Sequence, residues 1–222
     1  MPIAYYAVSI FKIILRSMNL NNNKKELVNC VKDLYCMGLT TSVSGNHSIR
    51  FRNKKWMWIT PSGVPRYKLH SNDLVKVHLK TGKVFGNIKP SIELNLHRNI
   101  YKKRRDVNAI VHTHSPFTIA VSISSSKFQH VIEEAKIVVG QPVIIPNKPS
   151  GSMDLAESVS DAFQQGEEDN NCTTKAVVIK NHGVVAVGKD IHQARAVVES
   201  LEEWAKILAI AEIFGGAKNH LT

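Results

Sequence analysis

The amino-acid sequence predicts an α/β fold, with one compact domain following a short N-terminal extension. Short segments with strand periodicity recur along the chain, and longer segments with apolar residues at helical spacing lie between them. Neither internal repeats nor low-complexity linkers divide the 222 residues. A chain of this length can bury a sizeable core as a single domain. We place the extension at residues 1–18 and the domain at residues 19–222.

The extension is apolar from Ile3 to Leu15 but is interrupted by Lys12. This segment is too short to span a bilayer, and no small-residue cleavage site of the kind that ends a signal peptide follows it. Met18 then precedes a polar, asparagine-rich stretch. We therefore assign no function to the extension.

The first half of the domain is predicted to contain one helix and two β-hairpins. The helix begins near Asn23, because Glu26 completes a capping box, and it ends at Gly38, a residue type that favours helix C-termini. The hairpins cover residues 49–60 and 74–85, where alternating segments flank an Asn-Lys turn and a Thr-Gly turn.

The second half is predicted to alternate helices and strands. Asp190 caps the last long helix with Gln193 at the capping-box position, whereas Gly140 and Pro142 break an apolar region into short strands and loops. In chain order, the predicted elements are a helix opening at Pro90, a strand running into His112, a helix with Ser115 as its N-cap and Pro116 at its first position, short strands and loops over 131–145, a helix over 154–165, strands over 175–180 and 184–187, and a helix from Asp190 to about Phe214.

Composition and charge narrow the class of protein. A hydrophobic content of 43% and a charged content of 21% are ordinary for a soluble globular protein. The net charge of +11 suits an anionic partner. The lysines are spread along the chain rather than clustered with aromatic residues, which favours a phosphorylated metabolite over nucleic acid. Cys30, Cys36 and Cys172 have no metal-binding spacing and are odd in number, which indicates a reduced, cytoplasmic protein with no membrane segment.

Two histidines at the end of a predicted strand suggest a metal site. Residues two apart on a strand point to the same face, so His112 and His114 project together. Neutral imidazole suits zinc, although one histidine could instead be buried and hydrogen-bonded while the other is exposed. His182 is a third candidate, at the end of another buried strand beside Gly183. Three histidines with an open fourth position are typical of catalytic zinc.

Two small polar turns are candidate anion sites. Residues 39–48 and 60–63 can present backbone N–H groups and hydroxyls to an anion, although each alone is more often only a turn. Glu93 follows them at a helix start, where it either stabilises the helix dipole or serves a metal. His97 lies one turn later on the same face, and a packing or supporting role suits it better than metal ligation.

These motifs occur in an order that resembles the class II aldolase/adducin family. The resemblance spans residues 26–214 and implies a three-layer α/β/α sandwich around a mixed, mostly antiparallel sheet. It also implies a homotetramer with active sites at the subunit interfaces. The segments that carry it are Ser44–Asn46, Ile59–Pro65, Lys89–Glu93, Ala109–His114 and Lys180–Val184.

The resemblance also implies a set of roles. His112, His114 and His182 match the ligands of one zinc ion per subunit, with another divalent metal possible. Glu93 matches the general base and acid, for which a raised pKa would be suitable. The residues that match the phosphate-binding loops are Gly45, Asn46, Ser62, Gly63 and Ser91. The implied reaction is aldol cleavage of a ketose 1-phosphate of the L-fuculose type, giving dihydroxyacetone phosphate and an aldehyde through a zinc-stabilised enediolate.

Several alternatives stay open. An L-ribulose-5-phosphate 4-epimerase or a methylthioribulose-1-phosphate dehydratase would use the same site. A non-enzymatic adducin-like binding module would have lost the histidines, and all three are present. The chain departs from many family aldolases at Ile92, where they have a second hydroxyl residue. It also has no tyrosine near residues 132–136, where the family aldolase uses one from the neighbouring subunit as a proton donor. Glu133 or Glu134 is a candidate for that position.

Overall fold

The computed structural model describes residues 22–124, 128–165, 174–218 and 221. The extension predicted at residues 1–18 lies outside these ranges, as does Cys172. No helix in the described ranges is both long enough and apolar enough to cross a membrane.

Six α-helices and eight β-strands make up the described part of the chain. In chain order they are α1 (22–36), β1 (Asn46–Arg50), β2 (Trp56–Ile59), β3 (Val75–His78), β4 (Val84–Phe85), α2 (Leu94–Lys103), β5 (Ala109–Thr113), α3 (Pro116–Ser124), α4 (Glu133–Val138), β6 (Val143–Ile145), α5 (Met153–Gln165), β7 (Ala176–Ile179), β8 (Gly183–Gly188) and α6 (Ile191–Ile213). A short 3₁₀ helix, Arg66–Lys68, lies between β2 and β3.

All eight strands form one sheet in the order β4-β3-β2-β1-β5-β8-β7-β6. Only the β6–β7 pair is parallel, and the six other neighbouring pairs are antiparallel. Both predicted hairpins are present as β1–β2 and β3–β4. The central strand β5 is buried along its whole length because β1 and β8 flank it and helices cover both of its faces.

Two hydrophobic cores lie on opposite faces of the sheet. On one face, side chains of α1, α3, α4 and α6 pack against the strands, represented by Leu34, Val121, Ala135 and Val198. On the other face, α2 and α5 pack against each other and against the strands. The predicted three-layer α/β/α sandwich around a mixed, mostly antiparallel sheet is confirmed.

The prediction for residues 131–145 is wrong in part, since α4 occupies Glu133–Val138 before β6 begins. Ala135 and Val139 are buried one helical turn apart, whereas Ile137 between them is 69% exposed. An apolar run with this burial pattern belongs to a helix face and not to a strand. The helical segment ends before Gly140, which has a positive φ of 73°.

Three predicted element starts also need correction. Residue 22 is already helical, and the Asn22 side chain donates to Glu26 (2.6 Å), so Asn23 is not the N-cap of α1. Strand β1 begins at Asn46 and not at residue 49, because Asn46 pairs with His112 of β5. Ser115 does not cap α3 with its side chain.

That cap is supplied by Glu202 of α6, whose carboxylate accepts from the backbone N–H groups of Phe117 (2.9 Å) and Thr118 (2.8 Å). The Ser115 hydroxyl instead bonds the Thr113 hydroxyl at 2.7 Å. A carboxylate is well suited to a helix N-terminus because free N–H donors and the positive end of the dipole lie there. The sequence did not suggest this contact, because it joins residues far apart in the chain.

Candidate active site

Three strand ends bring the predicted metal ligands together. His112 lies on β5, His114 follows it, and His182 lies in the turn between β7 and β8. Strands β5 and β8 are antiparallel with Thr113 opposite Val184, so the end of one meets the start of the other. A Cβ atom at Gly183 would lie 2.2 Å from the Thr113 carbonyl oxygen, and glycine is therefore required for this close approach.

The three imidazole rings converge. Each can offer one nitrogen atom such that the three atoms lie within 4.8 Å of one another. The Nδ1 atom of His112 lies 2.9 Å from the Val184 carbonyl oxygen, which can only accept, so Nδ1 carries the hydrogen. The Nε2 atom of His112 is then a bare lone pair, and it is buried without a hydrogen-bond partner.

The electrostatics of this cluster fit a cation. Glu93 Oε2 lies 3.2 Å from His112 Nε2, and Glu93 Oε1 lies 3.5 Å from His182 Nε2. A carboxylate facing an unprotonated nitrogen at this distance is repulsive unless a positive charge is shared between them. Burial, and then the neighbouring His112 and His182 imidazoles, lowers the pKa of His114 to about 3, so His114 is neutral, as a metal ligand must be. The residues present therefore fit a divalent metal.

Glu93 lies at the N-cap of α2 and not in its first turn, and its side chain makes no capping hydrogen bond. The dipole-stabilising alternative is therefore not supported. Burial raises the pKa of Glu93, but positive charge shared with the neighbouring His112 imidazole and the hydrogen bond from Asn46 lower it more, so the pKa lies below its ordinary value. The expectation of a raised pKa is wrong, and Glu93 is a carboxylate at neutral pH.

A buried chain of hydrogen bonds supports Glu93 from behind. The side-chain amide of Asn46 donates to Glu93 Oε2 (2.8 Å), and Asn46 Oδ1 lies 2.6 Å from His97 Nε2. His97 Nδ1 is 2.7 Å from the Ser48 hydroxyl, which is in turn 2.9 Å from the Tyr101 hydroxyl. Because Asn46 donates to a carboxylate, its oxygen accepts, and His97 Nε2 must carry the hydrogen.

This chain assigns His97 the supporting position that the sequence indicated. It also places the Asn46 side chain on Glu93, whereas the sequence predicted Asn46 only as a phosphate-binding residue. Ser48 and Tyr101 were not singled out from the sequence. The one available signal was that Ser48 shares a strand face with Asn46, two residues away.

One pocket of about 180 Å³ opens beside the histidines. It contains all five residues predicted to bind phosphate, together with Glu93, His114 and His182. The Ser62 hydroxyl donates to the Pro90 carbonyl (2.8 Å), whereas the Ser91 hydroxyl accepts from the Glu93 N–H (3.2 Å) and keeps its own proton free for a ligand. A Cβ at Gly45 would lie 2.8 Å from the His112 carbonyl oxygen, so this turn also requires glycine.

Two further residues of the pocket were missed by sequence reasoning. Ser150 and Arg66 contribute to its lining. Arg66 is only 4% exposed, and its guanidinium donates to backbone carbonyls in both polar turns. Its local sequence, Pro65-Arg66-Tyr67, has no feature that distinguishes it from a surface turn.

Glu133 and Glu134 stay predicted proton donors, because the family resemblance places them at the pocket of a neighbouring subunit. Glu133 and Glu134 are exposed in the first turn of α4 and do not line the pocket of their own chain. A larger cavity of about 510 Å³ lies between α3 and α6, lined by Val121, Leu208 and Ala209 among others. It contains none of the histidines, so size alone does not identify the site.

Comparisons with known proteins agree with this geometry. A family model described as the class II aldolase and adducin N-terminal domain matches residues 25–209. An L-fuculose phosphate aldolase from Methanococcus maripaludis is 38% identical over 185 residues, covering 82% of this chain and 95% of that protein. A 3-oxo-tetronate 4-phosphate decarboxylase from Haemophilus influenzae is 32% identical over 189 residues, covering 83% and 85%. A solved L-fuculose 1-phosphate aldolase superposes with a TM-score of 0.78 at 28% identity, covering 90% of this chain and 91% of the other.

Proposed function

The chain belongs to the class II aldolase and adducin family and is a metal-dependent enzyme of the lyase type, and from this premise we propose its reaction. It cleaves a ketose 1-phosphate of the L-fuculose type into dihydroxyacetone phosphate and an aldehyde. The observation that carries this proposal is the shared pocket. It places His114, His182, a buried carboxylate and two polar turns around one space, and His112 converges with the same two histidines.

His112, His114 and His182 would hold the metal, and zinc suits three neutral imidazoles with an open position. When bound there, zinc supplies Lewis-acid polarisation of the substrate carbonyl, worth several kcal/mol of transition-state stabilisation. The protein fixes His112 for this task through the Nδ1–H donated to Val184. It fixes His114 through the backbone bond from its N–H to the Leu39 carbonyl (3.0 Å).

Glu93 is the proton carrier. Its Oε2 is held by the Asn46 amide, while Oε1 is buried without a hydrogen-bond partner. Oε1 is therefore the atom that accepts a proton from the substrate as the carbon–carbon bond breaks. It then returns a proton to the carbon atom of the dihydroxyacetone phosphate half that has lost this bond. The lowered pKa ensures that the carboxylate form is present before substrate binds. General acid–base catalysis of this kind contributes about 10²- to 10⁴-fold.

The two polar turns hold the phosphate. Gly45 and Gly63 lie on facing turns, and the Ser91 hydroxyl has a free proton between them and Glu93. A phosphate fixed there orients the reacting carbons relative to Glu93, so that binding energy from a remote group lowers the barrier. Ile92, at 61% exposure, also lines the pocket and can contact only the apolar part of a substrate.

The deciding experiment is turnover against a panel of phosphorylated ketoses, with released dihydroxyacetone phosphate measured by a coupled reductase. Release from a ketose 1-phosphate supports the proposal. An epimerised, dehydrated or decarboxylated product without dihydroxyacetone phosphate would instead assign one of the neighbouring reactions. Absence of any product with metal bound would favour the adducin-like binding module.

We also propose a cytoplasmic homotetramer with active sites at its subunit interfaces. Supporting features are the pocket, which is open to the surface of the single chain, and the apolar side chains of Ile213 and Phe214, each 80% exposed at the end of α6. Light scattering of the purified protein checks the assembly. A monomer with full activity would contradict the interfacial site.

A further inference from the structure

Arg66 has an unusual electrostatic environment. The guanidinium is buried, and it donates to five backbone carbonyl oxygens through Nε, Nη1 and Nη2. The acceptors are Val43 (3.3 Å), Ser44 (3.1 Å), Gly45 (2.6 Å), Pro61 (3.3 Å) and Val64 (3.4 Å). Among the described residues, no carboxylate lies within 4.0 Å of it. Burial without a counter-ion lowers the pKa of Arg66, although an arginine stays charged.

A second buried arginine shows what compensation looks like in this protein. Arg104 is 3% exposed and also donates to backbone carbonyls, those of Phe163 (3.2 Å) and Thr174 (3.1 Å). It is, however, paired with the Asp106 carboxylate through two contacts of 2.9 and 2.6 Å.

Arg50 is buried and lacks a paired carboxylate too within the part of the chain that the structure describes. It lines a separate surface cavity, however, and the nearby Asp106 charge offsets part of the lowering of its pKa by burial. No such charge from the same residues acts on Arg66. Burying an uncompensated charge is costly, so the environment of Arg66 needs a reason.

The pocket supplies that reason, because an anionic ligand can take the place of the carboxylate. Arg66 is the only arginine or lysine that lines the pocket within the described ranges, and Glu93 is its only carboxylate. We propose that Arg66 makes this pocket selective for a doubly charged phosphate group, a role that rests on the proposed function. Arg66 acts as a positioning residue and as a buried positive charge.

The hydrogen-bond geometry explains how it acts. Arg66 joins the turn at Val43–Gly45 to the turn at Pro61–Val64, so one side chain sets the distance between the two halves of the phosphate site. Its N–H groups are all engaged by carbonyl oxygens, and these negative ends of the peptide dipoles are therefore held away from an incoming anion. Because the carbonyl and the N–H of a peptide unit point in opposite directions, the N–H of Gly45 is directed away from the guanidinium.

The experiment compares three variants with the wild type. Arg66→Met removes the charge and the hydrogen bonds that join the two turns. Arg66→Lys keeps the charge but loses the planar guanidinium, and Arg104→Met removes a buried arginine distant from the pocket. For each, kcat and KM are measured with a phosphorylated ketose and with the same ketose lacking phosphate. Inhibition by inorganic phosphate is measured at constant ionic strength, and metal content is determined in parallel.

For Arg66→Met, we expect kcat/KM for the phosphorylated substrate to fall and the phosphate inhibition constant to rise by about 10- to 100-fold each, mostly through KM. The preference for the phosphorylated over the unphosphorylated ketose, expressed as the ratio of their kcat/KM values, should fall by about 10-fold or more, and metal content should be unchanged. Arg66→Lys should lie between wild type and Arg66→Met. Arg104→Met should lower thermal stability but leave the preference for the phosphorylated substrate intact.

Equal losses on both substrates in Arg66→Met, or the same loss of preference in Arg104→Met, would overturn the proposal. If Arg66→Met does not fold, the Arg66→Lys variant still decides, because it must weaken phosphate inhibition and lower the ratio of kcat/KM for the phosphorylated ketose to kcat/KM for the unphosphorylated one. If the wild type cleaves no ketose phosphate, the proposed function fails by itself. Direct calorimetric binding of inorganic phosphate to wild type and variants then tests Arg66 independently.

Discussion

The histidines on the two sides of Glu93 are buried in opposite ways. On one side, His112 and His182 each have a buried nitrogen with no hydrogen-bond partner. On the other side, His97 has both nitrogens engaged, by Asn46 and by Ser48. Histidine nitrogens are therefore left unpaired where a ligand from outside the chain can bind them. They are hydrogen-bonded within the protein where the histidine holds a neighbouring residue in place.

Energetics make this difference informative. Leaving a buried polar atom unpaired costs about 1–3 kcal/mol, so a cluster of such atoms indicates a ligand that binds there. His47 shows that the inference needs the cluster, since it is fully buried with neither nitrogen paired. It does not belong to the convergent histidine group. Nothing in the structure explains the unpaired nitrogens of His47.

Removing one of the three convergent histidines should have the largest effect. His114→Ala leaves two imidazoles, which we expect to abolish metal binding and to lower turnover by about 10³-fold or more, because several kcal/mol of transition-state stabilisation depend on the metal. Elemental analysis and steady-state kinetics measure the two losses. His78→Ala is the matched control, since His78 is half-buried on β3 against Trp56 and lies outside the pocket.

Replacing Glu93, the carboxylate between these two groups of histidines, should have the second-largest effect. Glu93→Gln keeps the shape of the side chain and the contact with Asn46 but removes the proton acceptor, so turnover should fall by about 10²- to 10⁴-fold while metal stays bound. Product assays and metal analysis on the same sample separate the two roles. Retention of wild-type turnover in this variant, or in a metal-free preparation, would contradict the mechanism.

The three convergent histidines could be predicted from the sequence, but most of the residues around them could not. His-x-His at a strand end is a local pattern, and the alternation of side chains on a strand fixes its geometry. The support for Glu93 joins residues of β1 and α2 across the fold, and Arg66 reaches carbonyls more than twenty positions away. Such contacts depend on strand register, which no local pattern encodes.

The misread segment around α4 has a related cause. The run Ile137–Val139 is compatible with a strand or with a helix face, because three apolar residues are too few to show a period. Burial of Ala135 and Val139 against α6 decides in favour of the helix. Glu133 and Glu134 in the first turn of this helix are exposed in the single chain, and their predicted role at the pocket of a neighbouring subunit stays a prediction.

Replacing His97, which has both nitrogens hydrogen-bonded within the protein, should have an intermediate effect. His97→Leu removes the donor that fixes Asn46, so Glu93 loses its orientation. We expect kcat to fall by about 10- to 100-fold with little change in KM or metal content. His97→Gln keeps an amide N–H near the same place and should recover much of the loss. Equal defects in both variants would point to disrupted packing and not to lost orientation.

The pH dependence of stability gives a second test of buried His97. Burial and then the nearby His112 imidazole lower the pKa of His97 from 6.5 to about 3. Below pH 6.5 the unfolded chain takes up a proton there and the folded chain does not, so the stabilisation present above pH 6.5 is lost progressively down to about pH 3.

Denaturant unfolding of metal-free protein at several pH values measures this loss. His97→Leu should flatten the slope of the unfolding free energy by about 1.4 kcal/mol per pH unit between these limits. His47, whose pKa burial lowers well below its ordinary value, keeps part of the slope in the variant. A slope identical to wild type would mean that His97 is not the buried neutral group described here.

The smallest effect is expected at the far end of the buried chain. Tyr101→Phe removes a hydroxyl that bonds the Ser48 hydroxyl at 2.9 Å and donates to the Ser48 carbonyl at 3.1 Å, four hydrogen bonds away from Glu93. The ring stays packed, so unfolding should become easier by only about 1 kcal/mol, and kcat should change by no more than about threefold. Each link that separates a residue from Glu93 adds a rotamer that can relax, so an orientation effect must weaken along the chain. A loss of turnover in Tyr101→Phe as large as that in His97→Leu would show that the chain acts as one rigid unit, and His97 would then have no separate role in orienting Asn46.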